Sequence, residues 1–418
     1  MMKIIELYKR NLLWFLLFFW YNFISGGDTL IIGVLVELSN KNIDKIFDYS
    51  VPKKLEEFIK VGIRVEVPFG NQTLEGFVLE IKNEVDSSYK LKEIISIKDT
   101  DIVLNDELLK LGKIMKENTL ATLISCYQVM LPKALKAKQG SVVNKKFDTY
   151  YRLNESILSC IKLTDKQEKI VNYVKERDIV KRSELLELSS SIIPTLIKKN
   201  VLIEEKQEHY RLSYSKELGS KFKLTGDQES VVEEVLSDSG FRTYLLHGVT
   251  GSGKTEVYME LIEDVLNKGM TSIMLVPEIS LTPQMVERFQ KRFGDNIAAL
   301  HSALSDGEKY DEWRRITRGE AKIVIGARSA IFAPLNNIGM IIIDEEHSDS
   351  YKQSDSNPRY SAKDVALIRG KYHNCPVIMG SATPSLEVMA RATKGVYKYL
   401  SLPNRVNGKK LPLVRIID

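Results

Sequence analysis

The sequence has little cysteine and no strong excess of either charge. Cys126, Cys160 and Cys375 are its three cysteines in 418 residues, set far apart with no Cys-x-x-Cys pair. That excludes a disulfide framework and a cysteine-ligated metal site and suits a reducing compartment, so the cytoplasm is expected. Histidine is sparse too, with five residues, and neither His301 nor His347 has the neighbours that would make it a metal ligand. Basic and acidic residues number 60 and 55, a net charge of +5. This mild excess permits a nucleic-acid partner without demanding one. With 44% hydrophobic and 28% charged residues, disorder is excluded as the main state. At ~150 residues per domain, the length suggests two to four domains.

Long apolar runs are scarce, with one exception. Lys3, Lys9 and Arg10 precede a dense run from Leu12 to Tyr21, continuing through Phe23 and Ile24 and followed by Ser25, Gly26 and Gly27. A basic flank, a short apolar run and small residues form the secretory-signal pattern. The run falls short of the ~20 residues that span a bilayer comfortably. Everything after Leu30 reads as cytosolic, so residues 1–29 are expected to be an extension from an upstream start, with no stable membrane association. A true signal or membrane anchor is the competing reading.

Residues 30–135 favour strands (IIGVLVEL, RVEVPFG, LEGFVLEI, LKEIISI) and then a helical stretch from Asp106, as in a small β-rich domain with a trailing helix. Residues 136–160 are expected to be a linker; its lysines, which begin at Lys133, read as a solvated run or a phosphate-binding patch. Residues 161–214 read as a winged helix: Thr164 caps the first of three helices, and VLIEEKQEHYRL alternates as a hairpin would. DNA contact and plain packing stay open for its third helix. From 218 to 418, six short apolar strands (TYLLHG, TSIMLVP, IAALHS, AKIVIGA, GMIIIDE, PVIMGSA) alternate with helices. These helices open on Thr282-Pro283, Ser305 with Glu308, Ser361 and Thr383-Pro384. Strand–helix alternation with strands apolar on both faces predicts a parallel α/β domain. Trp313, at helical spacing, reads as core.

The strongest chemical signal is Gly248-Val-Thr250-Gly251-Ser252-Gly253-Lys254-Thr255. It follows a strand and opens a helix. Glycines let backbone N–H groups wrap phosphates, the helix N-terminus adds positive charge, Lys254 reaches the β/γ-phosphates and Thr255 ligates Mg²⁺. A second strand delivers Asp344-Glu345-Glu346-His347 at its C-terminal end. There Asp344 is read as a Mg²⁺ ligand through water and Glu345 as the group that polarises the attacking water. The pair predicts hydrolysis of a nucleoside triphosphate with Mg²⁺, without saying to what end.

The surrounding motifs carry a resemblance. Asp344-Glu-Glu-His347 resembles the DEAD/DEAH box of superfamily 2 helicases, and Gly380-Ser381-Ala-Thr383-Pro resembles their SAT motif, which implies that Ser381 and Thr383 couple hydrolysis to strand movement. LVPEISLTPQ and IGARSAIFAP resemble motifs that grip DNA, the latter including Arg328. Gln228 in LTGDQ resembles the adenine-reading glutamine. Together with Tyr351-Lys352-Gln and Pro358-Arg359-Tyr360-Ser-Ala-Lys, whose loop resembles an aromatic-rich sensor of single-stranded DNA, the wording is similar to that of the primosomal protein N′ (PriA) family of replication-restart helicases.

Ile46-Phe47-Asp48-Tyr49-Ser-Val-Pro and GIRVEVPFG, ending at Gly70, resemble that family's first domain. The resemblance implies that Phe47, Asp48, Tyr49, Gly70 and Lys92 form a pocket for a 3′ DNA end. Phe47 and Tyr49 as plain core residues is the competing reading. The likeness implies a multidomain protein ending in a RecA-like P-loop lobe. Its implied activity is that of an ATP-dependent 3′→5′ DNA helicase or translocase, with forked, branched and single-stranded DNA, single-stranded DNA-binding protein and primosome loading proteins as partners.

Two departures stand out. Ser348 replaces the last acid of the family's DEEHD. The chain also ends at Asp418, soon after the SAT motif, so the family's second motor lobe and cysteine-rich zinc module are missing from it. On that ground the chain is expected to bind forked DNA and nucleotide but hydrolyse weakly, or to be another superfamily 2 translocase if the Phe47–Tyr49 likeness is coincidence.

Overall fold

The computed structural model describes residues 30–38, 43–82, 91–138, 143–158, 160–214 and 218–406. The apolar extension 1–29 lies outside them. Among the described residues no helix is long and apolar enough to cross a membrane.

The first unit is an antiparallel sheet of order β2-β1-β4-β3-β5, with β1 Ile31–Val36, β2 Phe47–Ser50, β3 Arg64–Phe69, β4 Gln72–Lys82 and β5 Ser96–Ile97. Alternate Val and Ile side chains (Ile32, Val34, Val65, Val67, Val78) fill its interior. The chain before β5 ties the two sheet edges together. Ser50 N donates to Lys92 O at 3.0 Å and Ile94 N to Ser50 O at 3.1 Å, while Ile95 N donates to Glu66 O at 2.8 Å. The sheet thus closes on itself as a small barrel. At Gly62 (φ +91°) a Cβ would lie 2.0 Å from Leu104 O, so only glycine fits that turn.

Helices Asp106–Thr119 and Leu123–Met130 follow. The stretch beyond them departs from the solvated linker expected of it. Ala134, Leu135 and Ala137 are buried, and Arg64 donates to Ala134 O at 3.1 Å and Lys136 O at 3.0 Å. The Arg64 guanidinium also grips Asp99, with Nε to Oδ2 at 2.9 Å and Nη2 to Oδ1 at 2.7 Å.

The second unit corrects the winged-helix reading in part. Its three helices are Asp165–Arg177, Arg182–Ser189 and Ile193–Lys198. The expected hairpin is instead one strand, β8 Leu202–His209, paired along its whole length with β6 Lys146–Leu153 from the expected linker. β7 Ile179–Lys181 completes the order β7-β6-β8. The physical reason is legible afterwards. Glu204 to His209 offers no Gly, Asn or Asp to take the positive φ of a tight hairpin turn, so the chain runs straight on.

The third unit is a seven-stranded parallel sheet of order β11-β12-β10-β13-β14-β9-β15. Its strands are β9 Thr243–Gly248, β10 Thr271–Leu275, β11 Ile297–Leu300, β12 Ile323–Gly326, β13 Ile338–Ile343, β14 Val377–Ser381 and β15 Lys398–Leu402. Apolar clusters cover both faces. Two of the four caps are as read: Thr282 accepts from Met285 N, and Ser305 and Glu308 form a reciprocal box. The last helix, Leu386–Thr393, is capped by Ser385 rather than by Thr383, and Ser361 makes no cap hydrogen bond. Trp313 is 4% exposed, a core residue.

Charged seams join the units. Arg369, 1% exposed, donates to both oxygens of Glu107 at 2.6 and 2.8 Å and to the carbonyls of Ile331 and Ala333. Asp311 accepts from Arg211 Nη1 at 2.8 Å, Glu312 accepts from Tyr214 at 2.8 Å, and Arg314 pairs with Glu208.

Candidate functional site: a phosphate cradle facing an acidic strand end

β9 ends at Gly248 and the chain turns through two left-handed glycines, Gly251 (φ +83°) and Gly253 (φ +81°), into the helix Lys254–Asn267. A Cβ on Gly253 would sit 2.3 Å from the Gln228 amide nitrogen. The cradle is therefore both shaped and packed by the absence of side chains. Lys254 lies folded into it, 8% exposed, with Nζ donating to Gly248 O at 2.9 Å and 3.7 Å from Glu345 Oε1. Ser252 is buried, Thr255 half-buried and Thr250 exposed.

Gln228 does not stand free to read a base. Its Oε1 accepts from Thr225 N at 2.9 Å and its Nε2 donates to Ser252 O at 2.8 Å, so it braces the cradle from within, 2% exposed.

Facing the cradle, β13 delivers Asp344. Burial pushes its carboxyl above the ordinary range, and the neighbouring Glu345 adds to the rise. Two tyrosines hold this residue, and sequence patterns gave no sign of the first. Tyr258 donates to Asp344 Oδ1 at 3.0 Å, and Tyr351 donates to Asp344 O at 2.6 Å. Tyr351 was expected on a DNA-sensing surface. It is instead fully buried, because its hydroxyl is needed at the backbone of the acidic box.

Glu345 takes a left-handed conformation (φ +45°). Glu346, also unread in the sequence, is a buried anchor: it accepts from Lys363 Nζ at 3.0 Å and from Ser385 N and Oγ at 2.6 and 3.0 Å. The box reaches the Gly380–Thr383 segment through His347 Nδ1 and Ser381 Oγ, 2.8 Å apart. Thr383 N donates to that same oxygen at 3.0 Å. The oxygen donors of Thr255, Asp344 and Glu345 are hard ligands of the kind Mg²⁺ takes, and a buried carboxylate beside a like charge suits a divalent cation.

The remaining site residues fall into two groups. Arg328 Nη1 donates to Lys352 O at 2.7 Å, which ties it to the loop where Lys352 and Arg359 are exposed. Arg328 also lines a cavity of about 420 Å³ with Glu278, His301, Ser302 and Lys309.

In the barrel, Phe47, Asp48, Tyr49, Gly70 and Lys92 lie along β2 and the segments packed on it. Phe47 is half-buried and meets Phe69 edge-on at 5.1 Å. Tyr49 is a core residue, 5% exposed, donating to Pro68 O at 3.3 Å. For Tyr49 this agrees with the competing reading of a plain core residue. Asp48 Oδ1 is 2.9 Å from Lys82 Nζ, a partner the sequence reading missed. Gly70 (φ +59°) opens to solvent, and Lys92 is exposed.

Comparison with known proteins matches both groups. Residues 33–132 match the "3'DNA-binding domain (3'BD)" of PriA and residues 225–392 the "DEAD/DEAH box helicase" family. Replication restart protein PriA of Bacillus subtilis is 42% identical, over 92% of this chain and 57% of its own length. The chain belongs to the PriA family. The PriA protein of Haemophilus influenzae is 36% identical, over 90% of this chain and 52% of its own length. The chain thus spans about half the length of the curated relatives it matches. The barrel pocket falls inside the first matched region, and Gln228, the cradle, the acidic box, Ser381 and Thr383 inside the second.

Proposed function

We propose that this chain supplies the nucleotide-handling and DNA-end-binding part of an ATP-dependent 3′→5′ DNA helicase or translocase of replication restart, acting in the cytoplasm. The observation that carries the reading is Lys254, held within a three-glycine cradle 3.7 Å from Glu345. Lys254 and the loop amides take the β/γ-phosphates. Thr255 and Asp344 hold Mg²⁺, which when bound neutralises charge on those phosphates, and Glu345 polarises the attacking water. Tyr258 orients the Asp344 carboxylate. The Ser381–His347 contact links the box to the segment that couples hydrolysis to strand movement. Arg328, Lys352 and Arg359 meet the phosphates of single-stranded DNA. Asp48 accepts from a 3′-hydroxyl beside Phe47, which favours forked or branched DNA with a nascent end. Single-stranded DNA-binding protein and primosome loading proteins are the partners this role calls for.

The test separates the two sites. Lys254→Ala abolishes binding of a fluorescent ATP analogue but leaves fork binding intact by fluorescence anisotropy. Retained nucleotide affinity in this variant would remove the cradle from the reading.

A further inference from the structure

β15 ends at Leu402, and the next four residues cross the phosphate loop. Three hydrogen bonds hold the crossing. Val249 N donates to Leu402 O at 3.1 Å and Val406 N to Gly251 O at 3.1 Å, while Asn404 Nδ2 donates to Asp227 Oδ2 at 3.0 Å. The stem of Arg405 lies over the loop at Gly251. Its Cγ and Cδ are each 3.9 Å from the point a Gly251 Cβ would occupy. Val406 Cγ2 lies 3.0 Å from the corresponding point at Gly253.

Arg405 has no carboxylate or carbonyl of its own among the described residues, and its Nε is buried without a hydrogen-bond partner. The nearby carboxylate of Asp227 is engaged by Asn404. A guanidinium is charged at every physiological pH and presents a fork of donors that matches phosphate oxygens. A buried donor of this kind without a partner is costly unless a ligand completes it. The residue lies beyond the matched helicase region, which ends at 392.

We propose that Arg405 is a further ligand of the nucleotide, a second cation that grips its polyphosphate chain from the strap over Gly251. The proposal rests on the reading of the cradle as a triphosphate site. Positively charged groups at that site then come from two separate elements: Lys254 from the helix start and Arg405 from the segment after β15.

The experiment uses the whole chain and competition against a fluorescent ATP analogue, with ATP and with inorganic tripolyphosphate, which has no base. Arg405→Ala is expected to weaken both competitors about tenfold at low salt, with the difference shrinking as salt rises. Arg405→Lys recovers part of the loss because it keeps the charge and loses the fork. Thermal unfolding without nucleotide reports whether either variant is damaged, and Arg405→Lys decides the matter if Arg405→Ala is. Unchanged tripolyphosphate binding in an intact variant overturns the proposal. So does a loss confined to ATP, which would make Arg405 a base or ribose contact. Failure of the unaltered chain to bind either compound would bring down the cradle reading along with this one.

Discussion

At Gly380 a hydrogen stands where any other residue would place carbon, and the Tyr258 hydroxyl fills the space: a Cβ there would lie 1.7 Å from that oxygen. The phenol passes this point to reach Asp344. Gly380→Ala therefore has to displace Tyr258 from the acid. It is expected to destabilise the protein by about 1–3 kcal/mol, the range for overpacking, and to weaken Mg²⁺-dependent nucleotide affinity. Chemical denaturation and titration with and without Mg²⁺ would check this, and Tyr258→Phe should reproduce the second effect with little of the first. In the barrel, Asp48 has Lys82 as a standing partner. Asp48→Ala should weaken binding to forks with a free 3′-hydroxyl while leaving forks with a blocked end unaffected. Equal loss on both substrates would instead mark a folding defect.

Elements differ in how plainly they are written in the chain. β9 to β14 are legible because each is a short, largely apolar run buried on both faces, and the cradle and acidic box are legible because phosphate chemistry needs those residue types at strand ends. β15 escapes notice because it is an edge strand, with Tyr399 and Ser401 exposed. β6 escapes because its alternation of Tyr, Thr and charged residues acquires meaning through β8, fifty residues on. Tyr258 and Arg405 carry no local pattern at all, and Glu346 sits in the acidic box with nothing local to show what it anchors. Each acts on a partner that the fold supplies: Asp344, Ser385 and Gly251. Turn chemistry is the middle case. Gly62 reads as a turn, but the reason nothing else fits is the carbonyl of Leu104. Gly62→Ala puts a methyl group into that carbonyl at a positive φ and should lower the urea midpoint by an amount equivalent to about 2 kcal/mol or more.

Across the whole molecule, the Glu107–Arg369 pair holds the barrel's trailing helix to the motor sheet. Burial opposes ionisation of Glu107, but His373 and Arg369 overcome it and draw its carboxyl down to about 2. Since the folded value lies below the unfolded one, the stabilisation is complete above about pH 4.5 and is lost as pH falls from there toward 2. It amounts to roughly 3 kcal/mol. Acid unfolding followed by circular dichroism should show Glu107→Gln losing this pH dependence. Arg369→Met, which leaves the carboxylate buried without its guanidinium and with only His373 beside it, should cost about 3–5 kcal/mol at neutral pH. The double variant should recover much of that.

The apolar interior tells the same story without charge. One cluster runs from Leu35 and Phe77 on the outer wall of the barrel, through Leu108, Tyr127 and Ile331, to Ile341 and Val377 of the parallel sheet. Barrel and motor therefore share an oily seam, and neither can be excised along it without wetting the other. Calorimetry should register them melting in a single endotherm. Replacing either unit by a foreign one would therefore mean rebuilding the wall it shares with the other.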